Sequence, residues 1–239
     1  GLVGESGAGK SVAAFSILNL IARPGYIAAG QILFEGKDLA AMSERELRKI
    51  RGNRIAMIFQ DPMMTLNPVL TIGTQMVEAL KAHRRISTRA ARDIALNKLR
   101  KVQIPSPDKR LDQYPHELSG GMRQRIGIAM ALANDPDIII ADEPTTALDV
   151  TVQAQILKLF QDLRREKGLA LVFITHDFGV ISQICDKVAV MYAGKIVEIG
   201  PAALSLFIVV ASFLADPGVL MDLPSMVVGV GGCPSGVTR

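Results

Sequence analysis

The chain has 239 residues, of which 49% are hydrophobic, and its formal net charge at pH 7 is +4. Two cysteines, Cys185 and Cys233, provide neither a disulfide framework nor a metal-binding spacing, and no early apolar segment resembles a signal peptide. These features exclude a disulfide-stabilised secreted scaffold. We expect one domain with a sizeable core, or one domain with a subdomain, in a reducing cytoplasm.

The first residues fit the phosphate-binding pattern G-x-x-x-x-G-K-[ST]. Glycines in such a loop let backbone N–H groups converge on phosphate, the lysine reaches the β- and γ-phosphates, and the final hydroxyl can ligate Mg²⁺. An apolar run from Val12 to Ile21 suits a helix whose positive dipole end faces the anion. We therefore expect ATP and Mg²⁺ to bind here, in preference to a chance glycine-rich turn. The residues of this loop are Gly4, Glu5, Ser6, Gly7, Ala8, Gly9, Lys10 and Ser11.

The next predicted elements are strands at Gln31 to Glu35 and at Ile55 to Phe59, the second of which is followed by Gln60. From residue 71 to 125 the apolar spacing becomes helical, with a loop at Pro105 to Pro107. The predicted domain therefore covers residues 1–201. Its α/β core comprises residues 1–70 and 126–201, and a helical subdomain comprises residues 71–125.

An apolar strand from Ile138 to Ala141 ends in two acids, Asp142 and Glu143. Ligands of open α/β sheets lie beyond the carboxyl ends of the strands, so both acids should lie beside the phosphate loop. Adjacent strand residues point in opposite directions and can have different roles. We assign Asp142 to Mg²⁺ and Glu143 to activating the attacking water as a general base. The alternative is an exposed turn after a core strand.

The remaining core elements are a helix from Val152 to Lys167, a strand from 170 to 175, and a final hairpin. The hairpin strands are Val188 to Tyr192 and Lys195 to Ile199. His176 follows the strand at its carboxyl end, where a ligand would lie, and we interpret it as functional although a lone histidine is usually structural.

The segment Leu118 to Arg125 contains Ser119, Gly120 and Gly121 at the start of a predicted helix, Met122 to Ala133. A serine cap and bare amides at a helix N-terminus make a second anion site. This segment resembles the signature motif of ATP-binding cassette (ABC) ATPases. The resemblance implies an α/β fold of the ABC ATPase type, with a P-loop NTPase (RecA-like) parallel-sheet core and an inserted helical subdomain.

The resemblance also implies residue roles and an assembly. Gln60 resembles the Q-loop glutamine, which contacts Mg²⁺ and the attacking water. Asp149 resembles the D-loop acid at the dimer interface, and His176 resembles the switch histidine, which contacts the γ-phosphate. Two subunits, identical or related, would pair head to tail, so that Ser119 and Gly121 of one subunit close on ATP held by the other.

The segment Phe59 to Pro68, with Tyr114 to Leu118, is similar to the peptide/nickel branch of bacterial ABC importers. This implies ATP hydrolysis coupled to uptake of dipeptides, oligopeptides or nickel. The implied partners are transmembrane permease subunits and, indirectly, a periplasmic or extracellular solute-binding protein, with the chain peripheral on the cytoplasmic face of the inner membrane. Met63, Met64 and Leu66 could form the permease docking loop or fill the local core.

Both ends of the chain depart from the branch. The strand before the phosphate loop is almost missing, together with the strands that would carry an aromatic residue for adenine. Residues 202–239 hold three charged residues in 38 and are interpreted as a divergent, weakly ordered tail, with an interfacial or dimer-packing helix as the alternative. A catalytically impaired nucleotide-binding fragment therefore remains an alternative to the importer ATPase.

A soluble ABC ATPase that takes no part in transport is the other alternative to the importer ATPase.

Residues 81–110 hold ten Lys or Arg against two Asp. This charge run is interpreted as solvated helix faces, with contact to an anionic membrane or a partner as the alternative. It lacks the interleaved aromatics of a single-strand nucleic-acid platform, and we expect no nucleic-acid partner.

Overall fold

A central β-sheet holds most of the strands in the computed structural model, which describes residues 1–61, 65–146 and 148–202. The strands are β1 (Leu2–Val3), β2 (Leu33–Phe34), β3 (Lys37–Asp38), β4 (Ile55–Ile58), β5 (Ile138–Asp142), β6 (Ala170–Thr175), β7 (Lys187–Tyr192) and β8 (Lys195–Pro201). Six of them form one sheet in the order β4-β5-β6-β1-β7-β8, and β2 pairs with β3 as a separate hairpin.

The strands from β4 to β7 in this order are parallel, and β8 is antiparallel at one edge. β1 has only two residues but lies at the centre, where Leu2 is in register with both Ile174 and Ala189. Parallel strands place their carboxyl ends on the same edge of the sheet. The segments that follow β1, β4, β5 and β6 therefore meet on that edge.

Eight helices are present among the described residues. They are α1 (Lys10–Ile17), α2 (Glu44–Ile50), α3 (Ile72–Lys81), α4 (Thr88–Lys101), α5 (Pro107–Arg110), α6 (Gly120–Ala131), α7 (Val150–Lys167) and α8 (Phe178–Ile184). Most begin at a polar residue whose side chain accepts a hydrogen bond from the first turn, as Thr71, Ser87 and Ser119 do. α3 to α6 fall largely within the predicted helical interval. The domain boundaries themselves stay a prediction.

Two predicted elements are shorter in the structure by two residues or more, and two helices were not predicted. α1 ends at Ile17 rather than at residue 21, because the chain turns at Asn19 with φ of 49°. The strand predicted from residue 31 to 35 covers only Leu33–Phe34 before a tight turn. α2 and α8 have seven residues each and begin at local caps, Ser43 and Asp177, that periodicity over longer windows does not detect.

Leu66 is buried, with 1% of its surface exposed, and it packs in the main core cluster of the domain. The prediction that it belongs to an exposed docking loop is therefore wrong for this residue, and its burial supports the alternative that it fills the core. Met63 and Met64 lie outside the described residues, as does the predicted tail from residue 203 onward.

Charged side chains of the basic segment 81–110 pair with acids on neighbouring elements. Arg92 contacts Asp112 and Lys101 contacts Glu166 on α7. These pairs fit the interpretation as solvated helix faces. Among the described residues, the helices are too short or too polar for any of them to cross a bilayer.

Candidate nucleotide site

The predicted phosphate loop connects the central strand β1 to helix α1, and the β7–β8 hairpin supports it. A Cβ atom on Gly4 would lie 2.1 Å from the carbonyl oxygen of Met191, so only glycine fits there. The N–H of Gly194, in the hairpin turn, donates to the Ala8 carbonyl at 3.0 Å. Gly9 precedes α1 with φ of 98°, a left-handed conformation that glycine adopts readily. The loop therefore rests on rigid backbone on one side.

Lys10 is the first residue of α1, and its side chain lies within the curve of the loop. Only 5% of the residue is exposed, and Nζ donates to the carbonyls of Gly4 and Glu5, both at 2.9 Å. An ammonium group has three donors. These two bonds hold a positive charge at the centre of the loop, where a phosphate anion would be attracted.

Asp142, at the end of β5, is 3% exposed and lies next to the loop. Burial raises the pKa of its carboxyl above the ordinary value, as does the negative charge of Glu143, whereas the Ser11 hydroxyl and Lys10 act in the opposite direction. Its Oδ1 is buried and has no hydrogen-bond partner among the described residues. A buried carboxylate oxygen without a donor is costly unless it is compensated, and a bound cation would compensate it.

Asp142 and Ser11 therefore fit a Mg²⁺ ion. Among the described residues no group of three or more His, Cys, Asp or Glu side chains could hold a metal by itself. Mg²⁺ commonly uses one or two protein ligands together with water and substrate phosphates. The carboxylate and hydroxyl found here match that limited set.

Glu143 occupies a strained turn directly after β5. Its φ is 44°, which is uncommon for a residue other than glycine, and its N–H donates to the Ile174 carbonyl of β6 at 2.9 Å. Strained backbone of this kind persists only where its surroundings enforce it, and it clusters at active sites.

The Glu143 carboxylate is the centre of a polar cluster at the sheet edge. Its Oε2 accepts hydrogen bonds from Gln60 Nε2 at 3.1 Å and from Thr146 Oγ1 at 2.9 Å, and its Oε1 lies 3.3 Å from His176 Nδ1. The Glu143 side chain is 14% exposed and that of His176 is 60% exposed. The structure thus joins the three predicted catalytic residues, which are far apart in sequence.

Thr146 is a member of this cluster that the sequence interpretation missed. A hydroxyl three residues after a turn residue can bond back to it, and the sequence Glu143-Pro144-Thr145-Thr146 carries that signal. The turn is also closed by a backbone bond from the Thr146 N–H to the Glu143 carbonyl, at 3.2 Å.

The predicted signature residues lie at the start of α6. Ser119 caps the helix by accepting from the Met122 N–H at 3.3 Å, and a Cβ on Gly121 would lie 3.1 Å from Val152 Cγ1 of α7. Asp149 caps α7 by accepting from the Val152 N–H at 2.9 Å. The side chains of Ser119 and Asp149 thus bond to their own helices and do not join the Glu143 cluster within the described part of one chain.

Comparison with known proteins gives concordant matches. The family model described as "ABC transporter" matches residues 1–146. The chain is 57% identical to the oligopeptide transport ATP-binding protein OppD of Bacillus subtilis over 200 residues, which is 83% of this chain and 56% of that protein. It is 58% identical to the dipeptide transport ATP-binding protein DppD of the same organism over 202 residues, 83% of this chain and 60% of that protein. The chain therefore spans less than two thirds of the length of these relatives.

Solved structures confirm the fold. The dimeric bacterial ABC transporter cassette MJ0796 superposes with a TM-score of 0.74 at 30% identity, covering 84% of both chains. A post-hydrolysis dimer of the same cassette, bound to ADP and Pi, gives a TM-score of 0.72 at 31% identity, again covering 84% of both chains. Both structures contain the cassette in its dimeric form.

Proposed function

The chain belongs to the ABC transporter family, and from this membership we propose that it is the ATP-binding and ATP-hydrolysing subunit of an importer for dipeptides or oligopeptides. The observation that carries the proposal is the Glu143 carboxylate, held by Gln60, Thr146 and His176 at the same sheet edge as the phosphate loop. This arrangement combines an anion-binding loop with an oriented base.

The proposed reaction is attack of water on the γ-phosphate of ATP. The loop amides and Lys10 bind and orient the phosphates. The Glu143 carboxylate, oriented by its three neighbours, accepts a proton from the attacking water as the new P–O bond forms. His176 and Gln60 hold the water and the γ-phosphate in line. Because catalysis of phosphoryl transfer is largely positioning and electrostatics, the orientation of these groups decides the rate.

Asp142 and Ser11 are the residues that would hold Mg²⁺, with Gln60 as a further oxygen ligand. The ion would supply positive charge that offsets the charge of the phosphates. The orphaned Oδ1 of Asp142 and the adjacent Ser11 hydroxyl support this assignment.

The active unit in this proposal is a head-to-tail dimer, of identical or related subunits. Ser119, Gly120 and Gly121 of one subunit, at the N-terminus of α6, would contact ATP bound to the other subunit, and Asp149 would lie at the interface. The exposed position of Ser119 and Gly120 supports this role, since it leaves the N-terminus of α6 accessible to a second subunit. The dimeric state of the MJ0796 cassette supports it as well.

The transport partners follow from the relatives named for oligopeptide and dipeptide transport. We propose that the dimer binds transmembrane permease subunits on the cytoplasmic face of the membrane, and that an extracellular or periplasmic protein delivers the solute. Nickel is the alternative substrate, because the importer branch that the sequence resembles takes up either peptides or nickel.

Phosphate release by the purified chain with ATP and Mg²⁺ tests the proposal. Because two subunits complete each site, the activity per chain should rise with protein concentration and then saturate. Hydrolysis that is independent of concentration would contradict the dimer. Binding of ATP without phosphate release, both by the chain alone and after a related subunit is added, would favour the impaired nucleotide-binding fragment. Peptide uptake by vesicles that contain the permease subunits tests the transport function.

A further inference from the structure

Gln124 is a buried polar residue of α6 that the proposed mechanism does not use. It lies five residues after Ser119, the cap of α6, and 3% of it is exposed. Its Nε2 donates to the carbonyl of Pro144 at 2.7 Å, and Pro144 is itself buried. This bond joins the helix that carries the signature residues to the residue that directly follows Glu143.

A buried amide that loses its partner is costly to the fold, so this bond constrains both elements. Pro144 has no N–H and cannot use its own nitrogen to secure the turn. Among the described residues, the turn has two longer backbone bonds of its own, from Thr146 to the Glu143 carbonyl at 3.2 Å and from Leu148 to the Thr145 carbonyl at 3.3 Å. The shorter bond from Gln124 therefore anchors the strained turn from outside.

Two neighbours of Gln124 attach the same helix to α7, which begins just after the turn. Gly121 approaches Val152 so closely that a Cβ would lie 3.1 Å from its Cγ1. Arg125 is buried and donates to the Gln155 side chain at 2.7 Å and to the Val102 carbonyl of the α4 terminus at 2.9 Å. α6 thus contacts Pro144, inside the segment that contains Glu143 and Thr146, and also α7, which begins just after that segment.

We propose that Gln124 is a positioning residue, which holds the Glu143 turn in register with α6 and passes movements of the α6 N-terminus to the Glu143 carboxylate of the same chain. A shift of α6 when its N-terminus meets an anion would pull the Pro144 carbonyl, and with it the backbone of Glu143. The inference rests on the proposed function, because it assigns the Glu143 carboxylate to ATP hydrolysis.

The test replaces Gln124 by Met, which has a similar shape but no donor. With the donor gone, the Pro144 carbonyl is left unpaired and the turn relaxes. We expect kcat for ATP hydrolysis to fall about tenfold or more, while Kd for ATP stays within about twofold, because the phosphate loop is untouched. Amide hydrogen exchange at Thr146 and Leu148 should become faster, and this readout does not depend on turnover.

Gln75→Met is the matched control. Gln75 is also a buried glutamine, and it donates to the backbone carbonyls of Asn67 and Leu70 at 3.0 and 2.9 Å. Its replacement should lower stability to a similar extent and leave kcat within about twofold, with unchanged exchange at Thr146 and Leu148. If Gln75→Met lowers kcat as strongly as Gln124→Met, the effect is general destabilisation and the proposal is wrong.

A second variant, Gln124→Glu, covers the case in which Gln124→Met does not fold. Its carboxyl group can donate to the Pro144 carbonyl only when protonated, so its kcat relative to the parent should rise as the pH falls. A flat ratio across pH would count against the bond.

Glu143→Gln, measured alongside, separates the two proposals. If Glu143→Gln hydrolyses ATP at the parent rate, the assignment of Glu143 as the base fails, and amide exchange alone decides the role of Gln124. If Glu143→Gln is slow but Gln124→Met has parental kcat and exchange, only the positioning role is refuted.

Discussion

The Thr146 hydroxyl donates to Glu143 Oε2 at 2.9 Å, on the same oxygen that accepts from Gln60. Two donors on one oxygen restrict rotation of the carboxylate, and they leave Oε1 facing His176. The orientation of the proposed base therefore depends on a hydroxyl within its own turn, and a small change at Thr146 tests that dependence.

Thr146→Val keeps the shape of the side chain and removes the donor, so we expect kcat to fall about three- to thirtyfold, as the loss of a hydrogen bond to a charged group predicts. Thr146→Ser retains the hydroxyl and should stay within about threefold of the parent. Steady-state phosphate release, with ATP binding measured separately, checks both. Equal losses in the two variants would show that packing, and not the hydroxyl, matters.

The members of this cluster differ in how far the sequence reveals them. Glu143 and His176 each follow an apolar strand, and the rule that ligands lie at the carboxyl ends of parallel strands was enough to expect them together. Thr146 was missed because its role depends on the left-handed φ of Glu143, which bends the chain back on itself. A conformation that L-residues rarely adopt is imposed by the tertiary fold and leaves little mark on sequence periodicity.

Binding and closure should be separable at Lys10 and Ser119. Lys10→Ala removes the charge at the centre of the phosphate loop and should abolish nucleotide binding by an isolated subunit. Ser119→Arg should leave that binding within about twofold, because Ser119 is proposed to contact ATP only across the dimer. The same substitution should block ATP-dependent dimerisation and turnover, because it places a bulky side chain at the exposed N-terminus of α6. Equilibrium binding of a fluorescent ATP analogue measures nucleotide binding, and size-exclusion chromatography with ATP measures dimerisation.

Lys158→Ala, at an exposed position on α7, is the control for removal of a positive charge and should change neither measurement. If Lys10→Ala and Ser119→Arg weaken binding by the isolated subunit to the same degree, the two-subunit site is contradicted.

Asp142 should reduce the stability of the nucleotide-free chain at neutral pH. Its folded-state pKa is raised chiefly by burial, so the folded chain retains the proton to a higher pH than the unfolded chain does. The resulting loss of stability is absent below the ordinary aspartate pKa. The loss grows as the pH rises from the ordinary pKa to the raised pKa, and it is constant above the raised pKa. We therefore expect Asp142→Asn to melt at a higher temperature than the parent at pH 8, with a difference that shrinks toward pH 4.

Asp142→Asn should also lose Mg²⁺-dependent ATP hydrolysis, since an amide is a poorer Mg²⁺ ligand than a carboxylate. Asp112→Asn provides the comparison, because Asp112 forms an exposed pair with Arg92 and such pairs contribute about 0–1 kcal/mol. It should not raise the melting temperature. A lower melting temperature for Asp142→Asn at pH 8 would show that the buried carboxylate stabilises the empty fold.

The core was predicted more completely than its periphery. The strands β4 to β7 and helix α7 follow from apolar runs and spacing, because burial on both sides of a parallel sheet leaves a continuous apolar pattern. Leu66 shows the limit of this reasoning, because its sequence allowed either an exposed docking loop or a place in the core, and the structure buries it in the main cluster. Only the packing of that loop against the helices makes its side chain part of the core.

The most direct test of the account is ATP hydrolysis by Glu143→Gln. The amide has nearly the same shape and retains one oxygen acceptor, but it cannot take a proton from the attacking water. We expect unchanged ATP binding and a fall in kcat of about 10²–10⁴-fold, the usual contribution of general-base catalysis. Glu78→Gln, at an exposed position on α3, is the control and should match the parent. Hydrolysis by Glu143→Gln at the parent rate would contradict the assignment of Glu143 as the base.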